Sequence, residues 1–317
     1  MKCPPLTELP PAPLNRMEWP WTKESKPLSP RMPDGRHWPK ISIVTPSLNQ
    51  GQFLEETIRS VLLQHYPNLE YIIMDGGSTD NSIEIIKKYE TWLNYWVSEK
   101  DNGQADAIQR GFDKASGKII GWLNSDDLLL PNALAKVAKQ FMLFPDMELL
   151  IGGAIMIDSD SNPVHRRYCY AQSYNSLLFL CQYFLQASSF WTKKVFRTIG
   201  GLDTSLKFCF DYDLFLKLAL RRNPGKVDAF LSEFRLHDKT KTSTIWKTVA
   251  IPELEKIRDV NGYGSYSEIE RNKMYTFYMK EFKRSQFEGM IKNCYRDLTL
   301  LVKYFIKRLT KGQRRLR

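Results

Sequence analysis

Residues 41–64, ISIVTPSLNQGQFLEETIRSVLLQ, decide the fold. The first seven residues, 41–47, are a short apolar run of the kind that forms a buried strand. After a polar loop, apolar residues recur at three- and four-residue spacing from Phe53 to Gln64, which predicts an amphipathic helix. A strand followed directly by such a helix is the repeating unit of a parallel sheet.

The same alternation continues along the chain. The sequence predicts further strands at 69–75, 95–98 and 118–124 and helices at about 81–92, 104–115, 131–144, 176–183, 193–199 and 211–221. This order predicts an α/β fold with a Rossmann-like, mostly parallel central sheet, flanking helices and right-handed crossovers. Ligands of such sheets bind beyond the carboxyl ends of the strands.

Polar loops follow the first four predicted strands at this edge. These loops are residues 45–49, 75–80, 99–103 and 124–127, and three of the four are acidic. An acidic loop by itself is usually a solvated turn or a helix cap. Four polar loops at one edge of one sheet favour a ligand site.

Asp126 and Asp127 place two adjacent carboxylates directly after a predicted strand. Mg²⁺ and Mn²⁺ take carboxylate oxygens and usually complete their shell with substrate phosphates. The pair therefore predicts a metal and diphosphate site. On this motif alone, a turn that caps the helix after Pro131 is an equally good interpretation.

The formal net charge of +11 is confined to the end of the chain. Residues 271–317 contain 14 basic and three acidic residues, so the first 270 residues are balanced. This distribution argues against a nucleic-acid-binding body. Five scattered cysteines without a Cys-x-x-Cys pair argue against a disulfide framework and a zinc site, and they favour a cytoplasmic protein. No apolar run predicts a signal peptide or a membrane-spanning helix.

The two ends of the chain differ from the middle. Residues 1–38 are rich in proline and predict an extended arm whose Trp19, Trp21 and Trp38 dock on the body. Residues 246–317 predict a basic helical tail, with an apolar stripe formed by Phe287, Met290, Ile291, Cys294, Tyr295, Leu298, Leu301, Val302, Phe305 and Leu309. The stripe could pack on the body, on a second copy in a homo-oligomer or on an anionic membrane surface, and these alternatives stay open. The central domain is expected to span residues 39–245.

Four motifs resemble the family 2 glycosyltransferases, the inverting, nucleotide-sugar-dependent enzymes of the GT-A fold. They are TPSLN at 45–49, DGGSTD at 75–80, KDNGQADAIQRG at 100–111 and WLNSDD at 122–127. Their order and spacing match the family over residues 41–245. The resemblance implies a GT-A domain with a C-terminal helical extension.

The resemblance also implies a nucleotide-sugar site at the strand ends. Its expected residues are Thr45, Pro46, Ser47, Asn49, Asp75, Gly76, Asp101, Gln104, Asn124 and Asp126, with Asp75 accepting a hydrogen bond from uracil and Asp101 closing the pocket. The expected ligands of Mn²⁺ or Mg²⁺ are Asp127, Asp126 and His237. Asn124 stands where many members have an aspartate, so which of the two aspartates ligates metal directly is open. Asp127 is favoured, with Asp126 nearer the ribose.

A catalytic base is expected in the segment FDYDLFLK at 210–217, which is similar to the family's acidic pair at a helix start. Inverting transfer needs a carboxylate that removes the proton of the acceptor hydroxyl. Asp211 is the candidate and Asp213 its rival. Phe210 stands where the family has the first acid, so the match is partial.

These observations predict a metal-dependent inverting glycosyltransferase that moves a sugar from a nucleotide donor, expected to be a UDP-sugar, to a glycan or lipid-linked acceptor. It would work in the cytoplasm, with the basic tail at the inner face of the membrane as one option. A nucleotidyltransferase is disfavoured because residues 45–51 lack the basic residues of a phosphate loop. A GT-A scaffold that binds nucleotide without turnover is the remaining alternative, since Asn124 and Phe210 depart from the family pattern.

Overall fold

The computed structural model describes residues 3–14, 16–170, 172–181, 185–237 and 246–313, and for 294–313 it describes the backbone alone. The strands are β1 (Ile41–Ser47), β2 (Leu69–Asp75), β3 (Tyr95–Ser98), β4 (Ile119–Trp122), β5 (Leu128–Leu129), β6 (Leu149–Ile157), β7 (Pro163–Arg167), β8 (Ser189–Thr192) and β9 (Gly225–Arg235). The helices are α1 (Leu54–Leu62), α2 (Ser82–Tyr89), α3 (Gln104–Lys114), α4 (Ala133–Leu143), α5 (Tyr174–Leu180), α6 (Lys193–Thr198), α7 (Phe210–Arg221), α8 (Ile251–Val260) and α9 (Glu268–Gln313).

These strands form one mixed sheet in the order β3-β2-β1-β4-β8-β6-β9-β5, with β7 paired to β6. The first four strands of the chain are parallel, as the alternation predicted. The second half is mixed, because β8 lies antiparallel between β4 and β6 while β6 and β9 are parallel. The carboxyl ends of β1, β2 and β4 therefore meet at one edge.

Both faces of the sheet are covered, which explains why β1 and β2 are buried along their whole length. Ile43 belongs to the apolar core on the side of α1, α2 and α4, whereas the next residue, Val44, belongs to the core on the side of α3, α5 and α7. Successive residues of a strand point to opposite faces, so one apolar run supplies both cores. Packing of β1 in both cores fixes the position of the strand end and therefore of the loop that follows it.

The N-terminal arm docks on the body through its tryptophans, as expected. The indole N–H of Trp19 donates to the carbonyl of Leu129 at 2.9 Å, and that of Trp21 donates to Glu56 at 3.3 Å. The guanidinium of Arg59 in α1, which is 1% exposed, donates to the arm carbonyls of Pro10, Pro20 and Trp21. Docking of the arm thus satisfies a buried cation.

The expected C-terminal helix is present as α9, but it packs through a different face from the predicted stripe. Tyr278 stacks on Phe179, Phe282 packs on Tyr170, and the Gln286 amide bonds both backbone polar groups of Tyr168. The stripe residues Phe287, Met290 and Ile291 are instead 59%, 44% and 37% exposed. The stripe side chains from Cys294 onward lie outside the described residues. No helix in the described part of the chain is long and apolar enough to cross a bilayer.

Candidate active site

A cavity of about 460 Å³ opens at the edge where the carboxyl ends of β1 and β4 meet. Seven of the residues expected at the site line it, namely Pro46, Ser47, Asp101, Gln104, Asn124, Asp126 and Asp211. Thr45, Asn49, Asp75, Gly76, Asp127, Asp213 and His237 are not part of the lining. The loops of the parallel half of the sheet and the start of α7 thus line one cavity.

The two adjacent aspartates occupy different environments. Asp126 lines the cavity, and its Oδ2 lies 3.1 Å from Nε2 of His237. Asp127 is 1% exposed and accepts two hydrogen bonds, from the backbone N–H of Arg235 at 3.0 Å and from the Asn124 amide at 3.2 Å. Burial and the charge of Asp126 raise the pKa of Asp127 well above its usual range. The geometry leaves Asp126 available to a ligand and makes Asp127 the anchor of the loop.

A buried ion pair between Arg235 and Glu56 supports the loop that contains Asp126 and Asp127. The guanidinium of Arg235, the last residue of β9, lies 2.9 Å from a carboxylate oxygen of Glu56 in α1, and both side chains are at most 3% exposed. Its Nε donates to the carbonyl of Asp126 at 2.8 Å, and the guanidinium lies over the ring of Phe53. Since a buried arginine needs both a counter-charge and acceptors, this network fixes the backbone of the acidic loop.

Asn124 satisfies all of its amide atoms within the site. Its N–H₂ group donates to Asp127 and to Oε1 of Gln186, and its oxygen accepts from the Gln104 amide at 2.9 Å. An aspartate at this position would turn a donor toward Asp127 into a repelling carboxylate. The departure from the family pattern is therefore compatible with an intact site, because Asn124 stabilises its buried neighbour.

His237 is held beside Asp126 by packing against Phe53, with the two rings tilted by 44°. Its ring centroid lies 4.9 Å from that of Phe53, and its side chain is 8% exposed. An imidazole and a carboxylate are suitable protein ligands for Mn²⁺. Among the described residues, no group of three or more His, Cys, Asp or Glu side chains is placed to hold a metal. Two protein ligands fit a metal that completes its shell with phosphate oxygens and water.

Asp75 organises the loop behind the cavity. Its carboxylate accepts hydrogen bonds from the hydroxyls of Ser78 and Ser98 at 2.5 and 2.6 Å and from the backbone N–H groups of Ser78 and Gly77. Four donors on a carboxylate that is 2% exposed indicate a structural anchor in this arrangement. The Asp75 carboxylate thus stabilises the turn that follows β2.

Gly76, the residue after β2, allows the close approach of Asp101, which lines the cavity. A Cβ atom at this position would lie 2.6 Å from Oδ2 of Asp101. Asn49 braces the same region, since its side-chain oxygen accepts the backbone N–H of Thr79 at 2.8 Å. The hydroxyl of Thr45 bonds that of Tyr71 inside the sheet. Of these residues, only Asp101 reaches the cavity.

Asp211 and Asp213 lie in the first turn of α7 but face different surroundings. Asp211 lines the cavity, whereas Asp213 lies 2.6 Å from Nζ of Lys217, one turn along the helix. Burial raises the pKa of Asp213, and Lys217 opposes that rise. The position of Asp211 suits a group that contacts substrate, and the position of Asp213 suits a structural ion pair.

Several cavity residues come from the second half of the chain, where the sequence offered no motif. They are Met156, Arg167, Leu185, Phe208 and Phe234. His165 and Arg166 are exposed, whereas Arg167 lines the cavity, because the β6–β7 hairpin brings the end of β7 to the site.

The family model for glycosyl transferase family 2 matches residues 42–201, half of the chain. The chain belongs to glycosyl transferase family 2. A family 2 relative, an uncharacterised glycosyltransferase of Rickettsia typhi, is 29% identical over 224 residues, which cover 67% of this chain and 69% of that protein. The family membership makes the chain a glycosyltransferase, an enzyme of glycan synthesis.

Solved structures agree on the GT-A fold. S. aureus TarS 1–349 in complex with UDP gives a TM-score of 0.55 at 15% identity and covers 76% of this chain and 70% of that one. A longer TarS crystal structure matches 76% of this chain, and the match covers 43% of the TarS chain. The mannosyltransferase PcManGT from Pyrobaculum calidifontis, with GDP-Man and Mn²⁺, gives a TM-score of 0.50 at 15% identity and covers 84% and 81%. At 15% identity, these matches show that the chain shares the fold of the two enzymes.

Proposed function

We propose that this glycosyltransferase moves a sugar from a UDP-sugar to a hydroxyl of a glycan or lipid-linked acceptor with inversion. The observation that supports this most directly is the convergence of Asp126, Asp101 and Asp211 on one cavity of the family fold. Residues 39–245 are proposed as the transferase domain, flanked by the arm at 1–38 and the tail at 246–317.

Asp126 and His237 are the proposed protein ligands of a divalent metal. Their side chains lie 3.1 Å apart, and Asp126 lines the cavity, whereas both acceptor oxygens of Asp127 already receive donors. A bound Mn²⁺ or Mg²⁺ would offset negative charge on the departing diphosphate. The direct ligand role favoured for Asp127 in the sequence is therefore proposed for Asp126, and Asp127 is proposed to hold the loop.

Asp211 is the proposed base. Its carboxylate takes the proton of the acceptor hydroxyl while the hydroxyl oxygen forms a bond to the anomeric carbon. The bond between that carbon and the diphosphate oxygen breaks, and the nucleoside diphosphate leaves with the bonding electrons. Attack from the face opposite the leaving group inverts the configuration at the anomeric carbon. Asp213 is proposed to stabilise α7 through Lys217.

The nucleotide is proposed to bind along the loops after β1 and β3. Pro46, Ser47, Asp101 and Gln104 line this wall of the cavity. The solved structures similar to this chain hold UDP in one case and GDP-Man in another, so the identity of the nucleotide must be tested directly. Calorimetric titration of UDP and GDP, each with Mn²⁺ and with chelator, should give metal-dependent binding of UDP. Binding of GDP alone would overturn the choice of a uridine nucleotide, and binding of neither would favour the scaffold alternative.

The outer face of α9 is proposed to contact an anionic membrane at the cytoplasmic side, where a lipid-linked acceptor would be presented. Phe277, Phe287, Met290 and Ile291 are exposed on this face, and Lys280 and Lys283 lie among them. Exposed apolar side chains interleaved with cations suit a headgroup surface. The face that packs on the body is a separate one, so docking needs no rearrangement of the fold.

Vesicle sedimentation tests this contact. Phe287→Ser in the full chain should reduce binding to vesicles with phosphatidylserine, while Val260→Ser, an 80% exposed apolar residue on α8, should not. The proposal would be contradicted if both variants bound these vesicles equally well. It would also be contradicted if the original chain bound neutral vesicles as well as vesicles with phosphatidylserine. A dimer that Phe287→Ser dissociates would instead assign this face to a second copy of the chain.

A further inference from the structure

A carboxylate from the C-terminal tail reaches the loop that leads into α7. Glu253 lies in the first turn of α8, outside the residues that match the family and outside the proposed transferase domain. Its Oε1 accepts the backbone N–H of Lys207 at 2.6 Å, and its Oε2 accepts those of Phe208 and Cys209 at 2.9 and 2.8 Å. Three successive N–H groups on one carboxylate form a nest for an anion.

This nest stands at the start of the helix that bears Asp211. Cys209 immediately precedes α7, and Asp211 is the second residue of that helix. The first N–H groups of a helix lack intrahelical partners and give its N-terminus a partial positive charge. The Glu253 carboxylate therefore sits where an anion is stabilised by the loop and by the helix together.

Further contacts tie the same loop to the cavity wall and to the tail. Nζ of Lys207 donates to the carbonyl of Asn102, next to the loop of Asp101. The ring of Phe208, which lines the cavity, packs edge-on against Trp246 at 5.6 Å. The loop is thus held on the nucleotide side by Lys207 and on the tail side by Glu253.

We propose that Glu253 is a positioning residue for the transfer reaction, because it fixes the loop 207–209 and thereby the place of Asp211 against the acceptor hydroxyl. The inference rests on the proposed role of Asp211 as base. Misplacement of a reacting group by about 1 Å costs on the order of 100-fold in rate. Loss of the carboxylate should therefore lower turnover by roughly 10- to 100-fold and leave nucleotide binding within about twofold of the original.

The test compares Glu253→Gln and Glu253→Ala with Glu255→Gln, an exposed glutamate on the same helix. Gln keeps the volume of Glu253 but turns an N–H₂ group toward the loop donors. Hydrogen exchange of the amides of residues 207–209 should accelerate in both Glu253 variants and stay unchanged in Glu255→Gln. UDP release from a panel of UDP-sugars, with and without acceptor glycans, should fall in the same two variants at a temperature where they are folded, while the UDP dissociation constant stays close to the original.

Asp211→Asn, measured beside these variants, separates the two proposals. If Asp211→Asn retains full UDP release, the base assignment fails and the positioning role fails with it. If Asp211→Asn is inactive but both Glu253 variants turn over normally, the positioning role alone is overturned. Unchanged amide exchange at 207–209 in Glu253→Gln would also overturn it, whatever the activity.

Discussion

Replacing each aspartate of the acidic loop by alanine should separate stability from metal binding. In Asp127→Ala, the buried N–H of Arg235 and the Asn124 amide lose their acceptor. Each buried donor left without a partner costs about 1–3 kcal/mol. Relief of a carboxylate buried beside Asp126 offsets part of this, so we expect a net loss of about 2–4 kcal/mol in the free energy of unfolding.

Asp126→Ala should behave in the opposite way. Its carboxylate lines the cavity and is 20% exposed, so its removal should change stability by only about 0.5 kcal/mol. Metal-dependent binding of UDP should be lost, because one of two protein ligands is gone. Asp127→Ala should keep measurable Mn²⁺-dependent UDP binding at temperatures where it is folded.

Scanning calorimetry and UDP titration at low temperature measure both effects. A loss of about 2–4 kcal/mol in Asp127→Ala corresponds to a fall of roughly 3–6 °C in melting temperature for a chain of this size. The reverse pattern would refute the assignment: normal stability with no metal-dependent UDP binding in Asp127→Ala, and normal UDP binding in Asp126→Ala.

Three further predictions concern the surroundings of the site. Arg235→Met should cost about 3–5 kcal/mol in urea unfolding, because it leaves the Glu56 carboxylate buried and unpaired, and adding Glu56→Gln should recover much of the loss; no recovery would contradict this pairing. Burial and the charge of Glu56 raise the pKa of Glu233 to about 7. The free energy of unfolding should therefore fall as pH rises from the ordinary glutamate range through 7, because the folded protein must then release a proton that it holds more tightly than the unfolded chain. Glu233→Gln should remove that fall when unfolding is compared at pH 5 and pH 8. Gly76→Ala should weaken UDP binding in calorimetric titration by displacing Asp101, and unchanged affinity would show that Asp101 does not contact the nucleotide.

The parallel half of the sheet was predictable because each strand is one local apolar run. The predicted bounds of the strands at 41–47, 69–75 and 95–98 match those of the structure. Pairing of these strands in a doubly covered sheet requires both faces to be apolar, and the sequence shows this directly. The loops at their carboxyl ends then follow from the topology.

The different surroundings of Asp126, which lines the cavity, and Asp127, which is buried, could not be predicted from the sequence. They depend on Arg235, which lies 108 residues beyond Asp127 and whose backbone N–H reaches it only after β9 joins the sheet. The place of Arg167 depends in the same way on the pairing of β7 with β6. Local patterns identify which residue types are present, whereas these partners are set by contacts between distant segments.

The docked arm bears on how a minimal catalytic fragment of this enzyme should be designed. A fragment that begins at the first family-matched residue, 42, would strip the guanidinium of Arg59 of its acceptors at Pro10, Pro20 and Trp21. It would also expose one side of Glu56, whose carboxylate the Trp21 indole reaches. Trimming should therefore follow the partners of buried charges, and a shortened enzyme will need either the arm or an apolar replacement for Arg59.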